Sequence, residues 1–292
     1  MAGSGFTFVS IDEHLVNGKI ISRRHMKKTS KRLVVISDLH CGANTGLTPP
    51  DWQYRYIKND RTKHNKYATL QKQCWDFYED TIQRLKPIDI LIVNGDCIDG
   101  RGEKSGSIEL IETDRQVQAE MAAEAISRAS AKNIIMTYGT TYHVSSNGED
   151  FENLVKSYVK ADSLGAHEWV NVNGLIFDFK HHLGSSSVPY GRHTAVSRDY
   201  NWNVLWAERD EQPKAKILCR SHVHYFSFAG NKDFLGLTTP ALQSQGTRFG
   251  ARICSGTVDF GMVVFDVSPD GSYTWKPILA NIVAQKAKAI IL

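Results

Sequence analysis

The chain has 292 residues, of which 41% are hydrophobic and 23% charged, with 22 Gly and only 8 Pro. This composition is that of an ordinary globular protein, and it excludes collagen-like, disordered and disulfide-scaffold classes. No apolar run approaches the roughly 18 residues of a membrane-spanning helix, and the N-terminus lacks the pattern of a signal peptide. Five cysteines without a CxxC pair favour a reducing compartment. We therefore predict a cytoplasmic protein of a prokaryote or a phage-infected host, without membrane contact.

The formal net charge of +4 has one main source near the N-terminus. Six cations lie in residues 23–32 without an acid among them, namely Arg23, Arg24, Lys27, Lys28, Lys31 and Arg32. The rest of the chain is slightly acidic, unlike a protein that coats nucleic acid with a basic face. The run is interpreted as a solvated lead-in to the first strand, with a phosphate contact or a targeting tract as alternatives. We predict an N-terminal extension over 1–30 and a single domain over 31–292.

The first half of the chain alternates short apolar runs with longer amphipathic ones. Apolar residues at three- and four-residue steps predict helices over 67–85, 107–131 and 150–160. Continuous apolar runs predict strands over 33–36, 88–93 and 133–136. This alternation is typical of βαβ units and a parallel sheet.

The second half is rich in strand-like runs and contains one predicted helix, over 191–208. Strands are predicted at 174–179, 215–219, 234–237, 262–267 and 272–278. We expect these strands to form a second, more antiparallel sheet. The chain is therefore predicted to be an α/β protein.

Polar motifs follow five of the predicted strands at the point where each ends. They are SDLH at 37–40, NGDCIDG at 94–100, GTTYH at 139–143, HHLG at 181–184 and SHVH at 221–224. Six of the 11 histidines lie in these motifs. Ligands of open α/β sheets bind beyond the carboxyl ends of the strands, so the pattern predicts a metal site there.

The spacing within the motifs has a physical reason. Residues i and i+2 of an extended chain point the same way, so Asp38 and His40 could reach one ion, as could His222 and His224. Gly95 allows a tight turn before Asp96, whose carboxylate can bridge two ions. Carboxylate and imidazole together suit Mn, Fe or Zn. Two such ions about 3.5–4 Å apart would clamp a phosphoryl group.

The order of these motifs resembles that of the calcineurin-like metallophosphoesterase family, over about residues 33–225. The resemblance implies a four-layer α-β-β-α sandwich of two mixed sheets flanked by helices, in agreement with the predicted elements. It also implies that Asp38, His40, Asp96 and His224 hold a first metal ion. The GTTYH motif is similar to that of phage and prokaryotic members.

The second ion of the family would be held by Asp96, His222 and a histidine at a strand end. We prefer His181 for this role, because it directly follows the strand, and keep His182 as the alternative. His143 matches the family histidine that stabilises the transition state and protonates the leaving oxygen. Asp38 is the other residue to which the resemblance assigns a part in catalysis.

Three positions differ from the family pattern or are ambiguous. Thr140 stands where the family usually has an Asn ligand to the second metal, and a hydroxyl is a poorer ligand than an amide carbonyl. The second ion is therefore expected to bind weakly or only with substrate. Ser221 stands where a Gly is usual. Asp99 fits a frequent family position but could simply cap the following turn.

The resemblance implies a phosphoesterase that depends on two divalent ions, in which metal-held hydroxide attacks phosphorus. Mn is the preferred metal, with Fe, Zn, Ni or Mg as alternatives. The substrate is expected to be a phosphodiester, in nucleic acid or a nucleotide. A phosphomonoester or phosphoprotein is the alternative within the class, and a non-catalytic metal-binding scaffold is the alternative outside it. The sequence does not specify an oligomeric state.

Residues 41–66 form a long insertion after the first motif. Aromatic residues interleave there with cations: Trp52, Tyr54 and Tyr56 with Arg55, Lys58, Arg61 and Lys63. Such residues can stack on bases and contact phosphates, so one hypothesis is a lid that binds a nucleotide or single strand. The other is that the aromatic residues pack the loop onto the body. Arg192 could similarly face a phosphate.

If the insertion is a substrate lid, Trp52→Ala and Arg55→Ala should slow turnover of a nucleotide diester more than that of a small generic ester. The reason is that only the larger substrate offers a base and further phosphates to these side chains. Steady-state kinetics with both substrates test this, and equal losses on both would argue against a lid.

Overall fold

The computed structural model describes residues 11–16, 19–24, 29–60, 63–102, 105–141, 150–184, 186, 188–244, 257–285 and 289–291. Its helices are α1 (Lys63–Leu85), α2 (Arg115–Ser127), α3 (Glu152–Val159) and α4 (Arg192–Ala207). Its strands are β1 (Ile11–Val16), β2 (Lys19–Arg24), β3 (Lys31–Ile36), β4 (Ile90–Asn94), β5 (Asn133–Thr137), β6 (Ser163–Gly165), β7 (Glu168–Val172), β8 (Leu175–Lys180), β9 (Ile217–Arg220), β10 (Ser227–Gly230), β11 (Leu235–Thr238), β12 (Gly261–Val267) and β13 (Tyr273–Leu279).

Two mixed sheets form the centre of the structure. The six-stranded sheet has the order β13-β12-β3-β4-β5-β6, and the five-stranded sheet has the order β10-β11-β9-β8-β7. Strands β3 to β6 run parallel, as do β11, β9 and β8. Antiparallel strands adjoin the first parallel block on one side, with β12 and β13, and the second block on both sides, with β10 and β7. Strands β1 and β2 pair with each other as an antiparallel hairpin.

The side-chain alternation of the strands explains the four layers. On β3, Leu33 and Val35 face the five-stranded sheet, where they share a core with Phe177 and Phe179 of β8. The intervening Val34 and Ile36 face the other way and pack in a core with residues of α1, α2 and α3. Helix α4 packs on β10 and β11 of the second sheet. The predicted α-β-β-α sandwich of two mixed sheets is therefore correct.

The predicted distribution of strands between the sheets is partly wrong. Strands β12 and β13 belong to the first sheet, because β12 pairs with β3 and is buried along most of its length. A continuous apolar run of this kind is typical of a central strand. The second sheet is parallel at its centre and antiparallel only at its edges. The short strands β6, β7 and β10 and the hairpin were not predicted.

The predicted helix bounds also need correction. Helix α2 begins at Arg115, eight residues after the predicted start, because the side chain of Asp114 accepts a hydrogen bond from the amide of Gln116 and caps the helix there. The preceding residues form turns, with Ser107 at φ 64°. Helix α1 begins at Lys63, four residues before the predicted start.

Part of the basic run is neutralised by acids of the body. Arg32 Nε lies 2.8 Å from Asp266 Oδ1, and Lys31 Nζ lies 3.8 Å from Asp89 Oδ1. Arg23 and Arg24 belong to β2, whereas Lys27 and Lys28 lie outside the described residues. Within the described part of the chain, no helix is long and apolar enough to cross a membrane.

A buried ion-pair network fastens α4 to the second sheet. Arg220 is only 2% exposed, and its Nη1 donates to Asp178 Oδ1 at 2.6 Å while its Nε donates to Asp199 Oδ2 of α4 at 2.8 Å. His167 Nε2 lies 2.8 Å from the same Asp178 oxygen. Since Arg220 directly precedes the SHVH motif, the network also anchors the end of β9.

Asp178→Ala should destabilise the protein by about 3–5 kcal/mol, because it leaves the Arg220 cation buried with Asp199 as the remaining acidic partner of this network. Urea unfolding followed by circular dichroism measures the change. Glu208→Ala is the matched control, since its pair with Lys214 is exposed at 3.6 Å and should be worth at most about 1 kcal/mol. A loss below that control value for Asp178→Ala would contradict the structural role of the pair.

Candidate metal centre

The strand ends of both sheets meet at one edge of the sandwich. Asp38 and His40 follow β3, Asp96 follows the neighbouring β4, and His181 follows β8. The SHVH motif, with His222 and His224, follows β9 next to β8. The amides of Asp38 and His40 donate to the carbonyls of Gly95 and Asp96, both at 3.0 Å, so the first two motif loops run side by side.

The acidic and histidine side chains form two adjoining groups that could each hold a metal ion. One group comprises Asp38, His40 and His224, and the other Asp96, His181 and His222; within each group one potential ligand atom per residue lies within 4.8 Å of the others. Asp96 Oδ2 lies 3.0 Å from His181 Nε2 and 3.8 Å from His40 Nε2. Asp96 therefore touches both groups, as a bridging carboxylate would.

The backbone places these side chains in an unexpected way. Asp38, His40, Asp96, His222 and His224 all adopt positive φ, at 52°, 44°, 53°, 71° and 56°. Non-glycine residues in this region are strained by about 1–3 kcal/mol each, and such strain clusters at functional sites. The extended-chain explanation of the DxH and HxH spacing is therefore wrong. Left-handed turns, not a pleated strand, aim the paired side chains at one place.

Two glycines make the close packing possible. A Cβ on Gly95, which has φ 81°, would lie 2.5 Å from Nδ1 of His181. A Cβ on Gly139 would collide with the carboxylate of Asp96. The glycine turn predicted before Asp96 is thus explained by the approach of an imidazole ring as well as by backbone freedom.

The buried atoms of the cluster fit a bound cation. Asp38 Oδ1 and His181 Nε2 are buried and make no hydrogen bond to any residue that the structure describes. Asp38 Oδ1 nevertheless lies 3.1 Å from His224 Nε2, and His181 Nε2 lies 3.0 Å from Asp96 Oδ2. Buried polar atoms normally have partners. Carboxylate and imidazole ligand atoms that converge at these distances suit a divalent transition metal.

Polar partners at the second ring nitrogen orient two of the histidine rings. His181 Nδ1 lies 2.7 Å from the carbonyl oxygen of Asn94, which can only accept, so Nδ1 carries a proton and, in the neutral ring, Nε2 faces the cluster as an acceptor. His40 Nδ1 lies 3.0 Å from Asp99 Oδ1. Metal-binding histidines commonly have such partners. Asp99, whose role the sequence left open, contacts the ring of His40.

The electrostatics of the cluster favour positive charge within it. Burial alone would raise the pKa of Asp38, but His224 and His181 lower it to about 2. Burial lowers the pKa of His181, but Asp96 and Asp38 outweigh that effect and raise it to about 10. Burial, helped by His181, lowers the pKa of His222 to about 4, so that its ring is neutral at pH 7 and able to bind a metal. Divalent ions would supply the same compensation as a proton on His181.

The two adjacent histidines of the HHLG motif have different surroundings. His181 is buried within the second group. His182 is exposed, with its ring centre 5.0 Å from that of His222. The structure therefore brings the preferred His181, and not His182, to the cluster.

Of the two candidate residues in the third motif, the structure describes Thr140 but not His143. The amide of Thr140 donates to Asp96 Oδ1 at 2.7 Å, and its hydroxyl donates to the same oxygen at 3.1 Å. The Thr140 hydroxyl also lies 3.2 Å from Asp96 Oδ2, so Thr140 contacts the carboxylate of a member of the second group. His143 lies outside the described residues.

Sequence reasoning missed Glu152, a buried acid at the start of α3. Its carboxylate accepts from the amides of Cys97 at 3.2 Å and Gly139 at 2.7 Å. Burial, with Asp96 and Asp150 nearby, raises the pKa of Glu152 to about 8, and positive charge in the cluster would lower it again. Only the acidic start of the helix signals this residue in the sequence.

The residues suggested for substrate binding lie in different surroundings. Trp52 packs against the core on the helix side, and the ring centre of Tyr54 lies 6.3 Å from that of Tyr67 of α1, so these two aromatic residues pack the insertion onto the body. Tyr56, in contrast, is 69% exposed. Arg55 is exposed. The guanidinium of Arg192 lies 4.3 Å from the ring centre of Tyr225, the residue after His224, and donates to Thr257 Oγ1 at 2.8 Å.

Comparison of the sequence with protein-family models finds no match, and neither does comparison with curated proteins. Among solved structures, the chain is similar to an archaeal phosphodiesterase, at 13% identity over 85% of this chain and 99% of the other, with a TM-score of 0.40. Vacuolar protein sorting 29 from Cryptosporidium parvum has 11% identity over 87% and 99%, and a TM-score of 0.42. Vps29 complexed with zinc from Entamoeba histolytica has 10% identity over 85% and 98%, and a TM-score of 0.38. These values assign no activity to the chain.

His181→Ala should lower metal affinity at one of two sites by at least about 10-fold, whereas His182→Ala should bind metal like the wild type. His182→Ala is the matched control, because it removes an exposed imidazole of the same loop that belongs to neither group, although the His182 ring centre lies 5.0 Å from that of His222. Equilibrium dialysis with Mn²⁺ followed by elemental analysis measures both variants. Loss of metal in His182→Ala alone would show that the other ring is the ligand.

Proposed function

We propose that this protein is a dinuclear-metal phosphoesterase of the calcineurin-like metallophosphoesterase family that hydrolyses phosphodiesters of nucleic acids or nucleotides. One observation carries the proposal. Two adjoining Asp/His groups meet at the carboxyl ends of the strands, with buried atoms of Asp38 and His181 that lack hydrogen bonds within the described structure.

The residues of the cluster have distinct proposed roles. Asp38, His40 and His224 would hold one ion and His181 and His222 the other, with Asp96 between them. Two divalent cations there would supply the charge that polarises a phosphoryl group and lowers the pKa of a water molecule. Mn²⁺ is the proposed metal, with Fe, Zn, Ni or Mg as alternatives that the same donors accept.

Residues around the cluster would assist the reaction. His143 is proposed to protonate the leaving oxygen, as the motif order implies. Asp99 would keep the ring of His40 oriented, through the 3.0 Å contact with its Nδ1. Arg192, whose guanidinium contacts Thr257 and the ring of Tyr225, the residue after His224, is proposed to bind a phosphate of the substrate.

A second candidate function is a metal-binding scaffold without catalysis. Thr140 favours it, because this residue hydrogen-bonds to Asp96 and stands at the position where the family usually has an amide ligand to the second metal. A phosphomonoesterase is the alternative within the enzyme class. Hydrolysis assays distinguish all three.

The purified protein with Mn²⁺ should hydrolyse bis(p-nitrophenyl) phosphate faster than p-nitrophenyl phosphate. Asp96→Ala should lower kcat/KM by more than about 100-fold, beyond the 10–100-fold effect of outer-shell changes, because Asp96 serves both groups. Asp76→Ala, which removes an exposed acid of α1, is the control and should retain full activity. A screen of DNA, RNA and nucleotides, with His143→Ala for comparison, then identifies the substrate.

The outcomes separate the candidates. Faster hydrolysis of the monoester would replace the diesterase proposal with a phosphomonoesterase. Metal binding without turnover of any phosphate ester would favour the scaffold. Activity of Asp96→Ala equal to that of the wild type would exclude the proposed site.

A further inference from the structure

The carboxylate of Glu152 joins two loops of the candidate metal centre. Glu152 is only 6% exposed, and one oxygen accepts from the amide of Cys97 while the other accepts from the amide of Gly139. Cys97 directly follows Asp96, and Gly139 directly precedes Thr140. A single side chain therefore holds the backbone of both loops next to the residues that face the cluster.

The contact between Thr140 and Asp96 closes this arrangement into a ring. Thr140 donates twice to Asp96, from its amide at 2.7 Å and from its hydroxyl at 3.1 Å to the same oxygen. By holding the two loops together, Glu152 keeps them at the distance at which Thr140 can form both hydrogen bonds to Asp96. The aim of the Asp96 carboxylate depends on all three residues.

The position of Glu152 is electrostatically unfavourable, which argues for a specific use. The nearby acids Asp96 and Asp150 both oppose its negative charge, as does burial. Burying a carboxylate among other acids costs free energy, and hydrogen bonds to the carboxylate offset only part of that cost. Gln would fill the same space without the charge, but its amide group could not accept the second N–H.

We propose that Glu152 is a positioning residue for the metal site on the Asp96 side of the centre, acting through the Cys97 and Gly139 amides and through Thr140. The inference rests on the proposed function in one respect, that the cluster binds metal. With Thr140 bound to Asp96, the second group has Asp96, His181 and His222 as its candidate ligands. The orientation of Asp96 is then decisive for the affinity of that site.

Asp150 provides a matched control for charge. Its carboxylate interacts with Asp96 electrostatically, and its Oδ1 accepts from the amide of Glu152 at 3.0 Å. Asp150→Asn removes a negative charge near Asp96 but leaves an oxygen in place for that amide. Glu152→Gln removes one of the two loop contacts, and it also removes a similar charge once bound cations lower the pKa of Glu152.

The test is isothermal titration of the metal-free full-length proteins with Mn²⁺, together with their melting temperatures in chelator. Glu152→Gln should weaken one of the two sites by about 10–100-fold and leave the other within about 3-fold of wild type. Asp150→Asn should leave both within about 3-fold. The weakened site should be the one that His181→Ala removes.

Three results would overturn the inference. Unchanged affinities in Glu152→Gln would show that the loops need no such clamp. Equal weakening by Asp150→Asn would assign the effect to charge, and equal weakening of both sites together with a lower melting temperature would assign it to general stability. If Glu152→Gln does not fold, Glu152→Asp, which keeps the charge but is too short to reach both amides, should show the same loss at one site.

The same titration separates this inference from the proposed function. A wild-type protein that binds two ions, with Glu152→Gln unchanged, would contradict the positioning role alone. A wild-type protein that binds no divalent ion would contradict the metal centre itself, and the inference with it.

Discussion

Two carboxylates buried at the end of a β sandwich set the main physical constraint on this protein. Asp38 is 0% exposed and Asp96 is 2% exposed. Taking a carboxylate out of water costs several kcal/mol unless it is paired. Without metal, hydrogen bonds such as those from Thr140 to Asp96 offset part of this cost, and protonated histidines offset more, in agreement with the raised pKa of His181. Divalent ions would offset it at neutral pH and would use the lone pairs that the fold points at one place.

A chain of hydrogen-bonded side chains behind the cluster keeps the two sheets in register. It runs through five buried residues in the order Thr137, Asn94, Ser221, Thr239 and Ser37, with distances of 2.9, 2.6, 2.7 and 2.8 Å. These residues come from or follow strands of both sheets. Fully satisfied buried networks rigidify their surroundings, so this chain supports the precise aim of the motif loops. It also gives the hydroxyl of Ser221 a use at a position where glycine is usual.

The sequence was sufficient for the features that depend on local pattern. Apolar runs located eight strands, because the hydrophobic period of a strand is a local property of the sequence; they are β3, β4, β5, β8, β9, β11, β12 and β13. The acids and histidines were located by their positions directly after strands, because the rules of strand connection allow few topologies. The sandwich itself followed from the resemblance and from the alternation of helices and strands.

What the sequence could not supply depends on long-range contacts or on backbone conformation. The left-handed turns at Asp38 and His40 have only a weak residue signal, since Asp and His adopt this conformation more often than most residues but far less readily than Gly. The place of β12 beside β3 pairs residues more than 200 positions apart. The choice between His181 and His182 required the ring orientation fixed by the Asn94 carbonyl. Glu152 could not be found, because its partners are backbone amides on two distant loops.

The most direct test of the metal centre is anomalous diffraction from crystals soaked in Mn²⁺, collected near the manganese edge. Two peaks about 3.5–4 Å apart are expected, one among Asp38, His40 and His224 and the other between His181 and His222, with Asp96 beside both. A map without peaks in this cluster, or with its only peak elsewhere on the protein, would contradict the account.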